Sequence, residues 1–387
     1  MICLGTSSWR RVAVGLPLAV TLVFAMAGCR DVASAVTGGA SGIVYVGVAV
    51  GLQSPERYVN VFNGVQLALD ELNASRPASA PRLALRRASA KAKSPVAIAE
   101  AFRDDRSVVG VVGHTESGPT IDAAAIYDDR AQGGRNALVA VSPTAAAAAV
   151  TQASPWVFRV CPVVDRQAVI LARYMIDSLG LKRVGLIYRN DVSGRDFRRS
   201  FAANLGGGLL LSRDPFLEEI AEFDLYAQRL ARAKPDGVLV FGNSKEVLRV
   251  LRALRAAGIS PVVASTNGPS AQELAQDPAA ARDFAGLRYL SLYSPTATSR
   301  PAARRFAAAF EQRFKAAPDH WGALGYDAAM LIGRAVHAVG PDRGRIRDWI
   351  ASVGQQQPAY QGATGDIRFD QSRNPVDKVA GIAVVGK

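Results

Sequence analysis

The chain has 387 residues, of which 49% are apolar, 20% charged and only 7% aromatic, the balance of a globular protein. Its formal net charge of +13 raises nucleic acid or an anionic membrane surface as partners. The basic residues are spread along helix faces, as in Arg249/Arg252/Arg255 and Arg343/Arg345/Arg347, with no aromatic-interleaved stripe. We therefore expect a solvated basic surface and no nucleic-acid binding.

Arg10 and Arg11 precede an apolar run from Val12 to Phe24 that Gly15 and Pro17 interrupt. A run so short and broken reads as the apolar stretch of a secretory signal and not as a spanning helix. The small residues Ala25-Met26-Ala27-Gly28 then lead to Cys29, which resembles the lipobox of bacterial lipoproteins. That resemblance implies a signal peptide over 1–28, lipidation of Cys29, and a mature protein anchored outside the inner membrane. Of the other two cysteines, Cys3 falls in the signal and Cys161 stands alone, so no intrachain disulfide is available. Cys161 reads as a small buried hydrophobe. Residues 29–42 are mostly small and polar, a flexible tether of roughly 20 Å reach.

A regular alternation begins at Ile43. The run Ile43–Val50 is continuously apolar, as in a strand buried on both faces of a parallel sheet. Helical spacing follows around Phe62–Leu72. Strand 83–87 precedes helix 95–104, strand 108–113 precedes helix 120–129, and strand 137–142 precedes an Ala-rich turn. The rhythm resumes with helix 165–179, strand 183–189, helix 194–204, strand 209–212, helix 223–233, strand 237–242, helix 244–257 and strand 261–265. Two consecutive series of this kind predict an α/β protein with two doubly wound parallel-sheet lobes. After a strand-like Leu287–Tyr293 come helices 299–316, 321–339 and 343–353 and strands 365–369 and 378–385. This last third is expected to return helices to the first lobe and the final strands to the second.

No catalytic pattern is present. The three histidines, His114, His320 and His337, lack metal-ligand spacing, and there is no HExxH, CxxC, GxSxG, Walker loop or GxGxxG. The pairs Asp104/Asp105 and Asp128/Asp129 fall at helix ends beside arginines, where solvated carboxylates are expected. The chain is thus read as no enzyme, with no metal and no cofactor.

What remains are the strand ends, where open α/β sheets bind ligands. His114-Thr115-Glu116-Ser117-Gly118-Pro119-Thr120 follows one strand of the first lobe, and Ser142-Pro143-Thr144 follows the next. Each runs into a helical segment, whose first N–H groups and partial positive charge suit a small carboxylate or carbonyl. Ordinary helix capping by the same hydroxyls is the alternative. The second lobe offers Asn190-Asp191-Val192-Ser193-Gly194, Gly242-Asn243-Ser244 and Ser265-Thr266-Asn267-Gly268, again caps or ligand groups, with Asp191 the acid among them.

These features resemble the type I periplasmic binding proteins, specifically the leucine/isoleucine/valine-binding branch that serves ABC importers. The likeness rests on Gly64–Asn73, Val112-Gly113-His114, Val141–Thr144, Arg249–Gly258, Leu324–Ala328 and Gly362–Asp370, and it covers nearly all of 43–385. It implies lobe one from 43–160 plus 291–363 and lobe two from 161–290 plus 364–387. It also implies ligand contacts at Ser117, Thr144 and Ala146 in lobe one and at Ser193, Asn243 and Asn267 in lobe two. Amino-acid binders of this branch commonly carry an acid where Asn267 stands and an aromatic where Ser193 stands. A ligand ammonium would therefore fall to Asp191 or Glu116, and the reading leans toward a ligand other than a branched-chain amino acid. The expected protein is a monomeric, lipid-anchored receptor that closes on a small polar ligand and docks on an ABC permease. A sensory lipoprotein of the same fold is the competing expectation.

Overall fold

The computed structural model describes residues 42–52, 58–218, 222–293, 300–376, 378 and 380–386; the signal segment and Cys29 lie outside the described residues. The first series consists of β1 (Ile43–Ala49), α1 (Val59–Ala74), β2 (Arg82–Arg87), α2 (Pro95–Asp104), β3 (Val108–Gly113) and α3 (Ser117–Tyr127), then β4 (Ala140–Ser142), α4 (Ala149–Gln152) and β5 (Val157–Arg159). These strands form one five-stranded sheet, ordered β2-β1-β3-β4-β5 and parallel throughout. All six residues of β3 are buried, as its unbroken apolar run requires of a central strand covered on both faces.

The second series runs α5 (Val164–Arg173), β6 (Arg183–Arg189), α6 (Val192–Ala203), β7 (Leu209–Phe216), α7 (Asp224–Ala233), β8 (Gly237–Phe241) and α8 (Ser244–Ala256). It continues with β9 (Val262–Ser265), α9 (Ala271–Gln276), α10 (Pro278–Asp283) and β10 (Arg288–Ser291). The last third supplies α11 (Pro301–Phe314), α12 (His320–Val339), α13 (Arg343–Ala351), β11 (Tyr360–Gly362), β12 (Gly365–Ile367) and β13 (Gly381–Val384). The second sheet is ordered β13-β10-β9-β8-β6-β7, and only its edge strand β13 is antiparallel. The α/β class with two parallel-sheet lobes is therefore as the alternation implied. Helix α3 starts three residues earlier than its spacing suggested, because Pro119 sits in the first turn, where its missing N–H is tolerated. The short β5, α9 and α10 carry too few residues for a visible period.

The returning helices pack on the first lobe. Helix α12 is apolar nearly all round and buried along most of its length, lying against α1. The two backbones approach so closely that a Cβ on Gly64 would lie 2.0 Å from the Gly322 carbonyl oxygen. From α13, Arg343 donates to the carbonyls of Asp105 (2.7 Å), Arg103 (2.8 Å), Val108 (2.9 Å) and Asn136 (3.0 Å). Arg343 is thus a half-buried clamp and not part of a solvated face, and burial lowers its pKa to about 10. The Asp128/Asp129 pair likewise departs from expectation: both are buried, Asp129 accepting the Asn136 N–H (2.8 Å) and Asp128 bonding Arg130 (2.8 Å).

The chain's final passage also differs from the sequence reading. Strand β12 pairs with β11 as a separate hairpin and does not join the second sheet. Beyond Thr364, Phe369 packs edge-on to Phe158 (5.2 Å) and Arg373 bonds the Val157 carbonyl (3.3 Å), so the chain is still on the first lobe there. Buried Asp327 on α12 accepts the N–H groups of Ala363 (2.7 Å) and Thr364 (2.9 Å). The buried Lys378 ammonium donates to the Thr364 hydroxyl (2.5 Å), and burial lowers its pKa to about 8.

Gly64→Ala forces α1 away from α12. The expected loss is about 1–3 kcal/mol, the range for overpacking a filled core. Denaturant unfolding of the variant measures it, and an unchanged midpoint would show that the helix contact yields freely.

Candidate functional site

Both sheets turn their strand carboxyl ends toward one cleft of about 360 Å³ between the lobes. It is lined by the seven residues expected to contact ligand: Ser117, Thr144 and Ala146 from the first lobe, Asp191, Ser193, Asn243 and Asn267 from the second.

In the first lobe two strand-end loops are stitched together. Ser142 Oγ donates to the His114 carbonyl (2.6 Å) and accepts the Ala145 N–H (3.0 Å). Thr144 Oγ1 donates to the Thr115 carbonyl (2.6 Å), so its proton is spent within the lobe. Ser117, the first residue of α3, accepts the Ala147 N–H (3.1 Å) through Oγ and keeps a proton for the cleft. His114 is no cleft group: it is buried against Tyr127 Oη (3.0 Å), and burial lowers its pKa to about 3.

The second lobe spends more of its polar atoms on itself. Asp191 caps α6, its Oδ1 accepting the Gly194 N–H (2.7 Å). Asn243 caps α8 by accepting the Glu246 N–H (3.0 Å) while Glu246 accepts the Asn243 N–H (2.7 Å), a complete capping box. Asn267 Nδ2 donates to the Gly242 carbonyl (3.0 Å). Arg189, at the end of β6, gives two bonds to Glu246 (2.8 and 2.9 Å). Burial raises the pKa of Asp191; the Gly194 N–H and the charge of Arg189 pull it down.

The lobes meet directly: Ser193 Oγ donates to Ser117 Oγ at 2.7 Å. Sequence reasoning missed the cleft's aromatic wall. Tyr58 packs edge-on to Trp321 (5.3 Å), and His320 lies beside Trp321 (4.9 Å). Tyr58 Oη donates to Glu116 (2.6 Å), a hydrogen bond that ties the wall to the α3 loop. Tyr58 follows the first strand, so a search of all strand ends would have reached it. Trp321 arrives from the returning α12, and no local pattern announces it. Among the described residues, no group of three or more His, Cys, Asp or Glu side chains is placed to hold a metal ion. No described helix is long and apolar enough to cross a membrane.

Comparison with known proteins agrees with this architecture. The chain is similar to an amino acid binding protein of Pseudomonas aeruginosa, 22% identical over 320 residues, which is 79% of this chain and 82% of that one. It is 26% identical over 239 residues to the Leu/Ile/Val-binding protein of Citrobacter freundii, 60% of each chain. Among solved structures, it resembles the branched-chain amino acid transporter substrate binding protein LivJ of Streptococcus pneumoniae, crystallised with isoleucine. The TM-score there is 0.78 at 22% identity, covering 88% of this chain and 96% of that one. A solute binding protein of R. palustris in complex with benzoate superposes with a TM-score of 0.74 at 18% identity, covering 89% and 93%. The family described as periplasmic binding protein matches residues 43–386. The chain therefore belongs to the periplasmic binding proteins of type I fold, extracytoplasmic solute-binding proteins and not enzymes.

Proposed function

We propose that this protein is a lipid-anchored receptor that closes its two lobes over a small polar ligand and delivers it to an ABC importer. The observation that carries the reading is the Ser117–Ser193 hydroxyl contact, made by the first turns of α3 and α6 across the cleft. A ligand in that cleft meets hydroxyls and helix N-termini from both lobes, so binding and closure are one event. The relatives support the class: one is named for amino acids, and the solved neighbours hold isoleucine in one case and benzoate in another. Lobe one, with its stitched loops, offers the pre-formed half of the site; lobe two completes it on closing. Micromolar affinity, roughly −8 kcal/mol, is within reach of a few buried charge-assisted bonds.

A thermal-shift screen against amino acids, amines, amides and small carboxylates tests ligand binding. A ligand at about 100 times its Kd stabilises the folded state by about 2.7 kcal/mol. With a ligand in hand, Ser117→Ala is expected to cost about 1.5–3 kcal/mol of affinity where the bond is to a charged group. The same change strips the Ala147 N–H of its partner and lowers the unliganded melting temperature. Ser193→Ala orphans no backbone group, so it weakens binding while lowering that temperature less than Ser117→Ala does. Calorimetric affinities equal to wild type in both variants would remove the hydroxyl pair from the site.

The anchor has its own test. Cys29→Ser is expected to leave the chain unlipidated and unprocessed, read by intact-mass measurement and membrane fractionation. A variant that partitions and weighs like wild type would sink the lipoprotein reading.

A further inference from the structure

We propose that the first lobe carries a second binding site, away from the cleft, for a small carboxylate with an aromatic body. The site is a cavity of about 420 Å³ between α1, α11, α12 and β11, and it shares no lining residue with the cleft. That volume lies within the range of small-molecule pockets. The inference stands apart from the receptor reading and does not need it.

The floor of this cavity is apolar and largely aromatic. Phe306 of α11 and Tyr326 of α12 hold their ring centroids 5.0 Å apart, and Met330 and Tyr360 line the cavity with them. All four side chains are buried. The room comes from Ala302 and Ala309, which stand one turn to either side of Phe306 on α11 and also line the cavity. Rings pair with a further ring edge-on or offset, so such a floor favours an aromatic body.

Charge is the second argument. Arg305 of α11 and Arg334 of α12 line the same cavity against a single acid, Glu71 of α1. Glu71 already accepts a hydrogen bond from Tyr326 Oη (2.6 Å). Burial and that bond raise the pKa of Tyr326, so the phenol keeps its proton. The balance left at the cavity is positive, and it favours an anion.

Third, the two arginines are uncommitted. Among the described residues, neither makes a hydrogen bond or an ion pair. The sequence gives the reason. Pro301, Ala302, Ala308 and Ala309 occupy the helical neighbour positions of Arg305, and Met330, Leu331, His337 and Ala338 those of Arg334. No acid stands within reach along either helix. Other exposed arginines find one: Arg252 meets Asp283 at 2.7 Å, and Arg313 meets Asp70 at 3.3 Å. The Arg334 guanidinium lies over the Tyr360 ring, 4.8 Å from its centroid, which holds it beside the cavity. Stacking uses the face of the guanidinium and leaves its N–H edge for a carboxylate, which that fork binds through two parallel bonds.

Isothermal titration of the purified chain with 3-phenylpropionate, 3-phenylpropanol and 3-phenylpropylamine tests this, since the three share a body and differ in charge. The carboxylate is expected to bind at least about tenfold tighter than the alcohol or the amine. Arg305→Gln and Arg334→Gln are each expected to weaken the carboxylate about tenfold. Their unliganded melting temperatures should stay near wild type, because neither change removes a hydrogen bond. Ser193→Trp, which obstructs the cleft, is expected to leave the carboxylate affinity unchanged. Carboxylate binding that survives both arginine substitutions, or that is absent from the wild-type chain at millimolar concentration, would overturn the inference. Binding lost in Ser193→Trp and kept in the arginine variants would place the anion in the cleft, which overturns the inference and leaves the receptor reading standing. If Ser193→Trp fails to fold, the two arginine variants decide the matter alone.

Discussion

Two helices meet head to head in this molecule, and the cleft is organised around that meeting. The first turns of α3 and α6 touch through the Ser117 and Ser193 hydroxyls, which brings two partial positive charges together. Like ends repel, so the junction needs negative charge beside it. Glu116 and Asp191 supply it from the N-cap positions. The fold makes this meeting unavoidable: in each lobe the parallel strands point their carboxyl ends at the cleft, and the helix after each strand begins there. Donors from helix ends and carboxylates from caps are therefore delivered to one place before any ligand arrives.

Holding that place rigid falls to charges buried far from it. Arg343 ties five carbonyls of α2, β3 and neighbouring loops to α13, and Asp327 ties α12 to the main chain at Ala363 and Thr364. Burying an ion is costly unless its bonding capacity is filled: Arg343 fills it with backbone carbonyls, and Asp327 with two backbone N–H groups and the hydroxyls of Thr364 and Tyr360. Backbone groups are fixed by secondary structure, so such bonds join segments distant in sequence without relying on another side chain's rotamer. Arg159 works the same way nearer the cleft. Wholly buried, it donates to the Ala145 (3.1 Å) and Ala148 (3.3 Å) carbonyls and so braces the loop that presents Thr144 and Ala146.

The parts of this structure legible in the sequence are those set by local pattern. Continuous apolar runs such as 43–49 and 108–113 are strands, and the hydroxyl-bearing segment after the second of them, with Thr115 and Ser117, lies at the cleft, as strand-end logic requires. Asn243 and Asn267 show the limit. Both line the cleft, but the atoms each offers are decided by a neighbouring main chain: the Glu246 N–H for one and the Gly242 carbonyl for the other. Composition could not foretell that Arg343, one of three arginines spaced along a helix, would turn inward while Arg345 stays exposed. Burial of Asp128 and Asp129 was hidden for the same reason. A carboxylate at a helix end looks solvated until another element covers it.

The aromatic wall shows how a widespread fold acquires its own preference. The second lobe's asparagines are committed to cap and turn, so much of the freedom to discriminate passes to groups that no cap requires. Tyr58 comes from the segment after β1, while His320 and Trp321 open α12 after the chain has returned from the second lobe. Their rings fix one side of the cleft through packing, and Tyr58 also fixes Glu116 through its hydroxyl. Because Gly64 and Gly322 let α1 and α12 come into backbone contact, the same close approach that stabilises the first lobe sets the distance from Tyr58 to Trp321. Core packing and the shape of the binding surface are in this respect a single constraint, and a substitution that spreads the two helices acts on both.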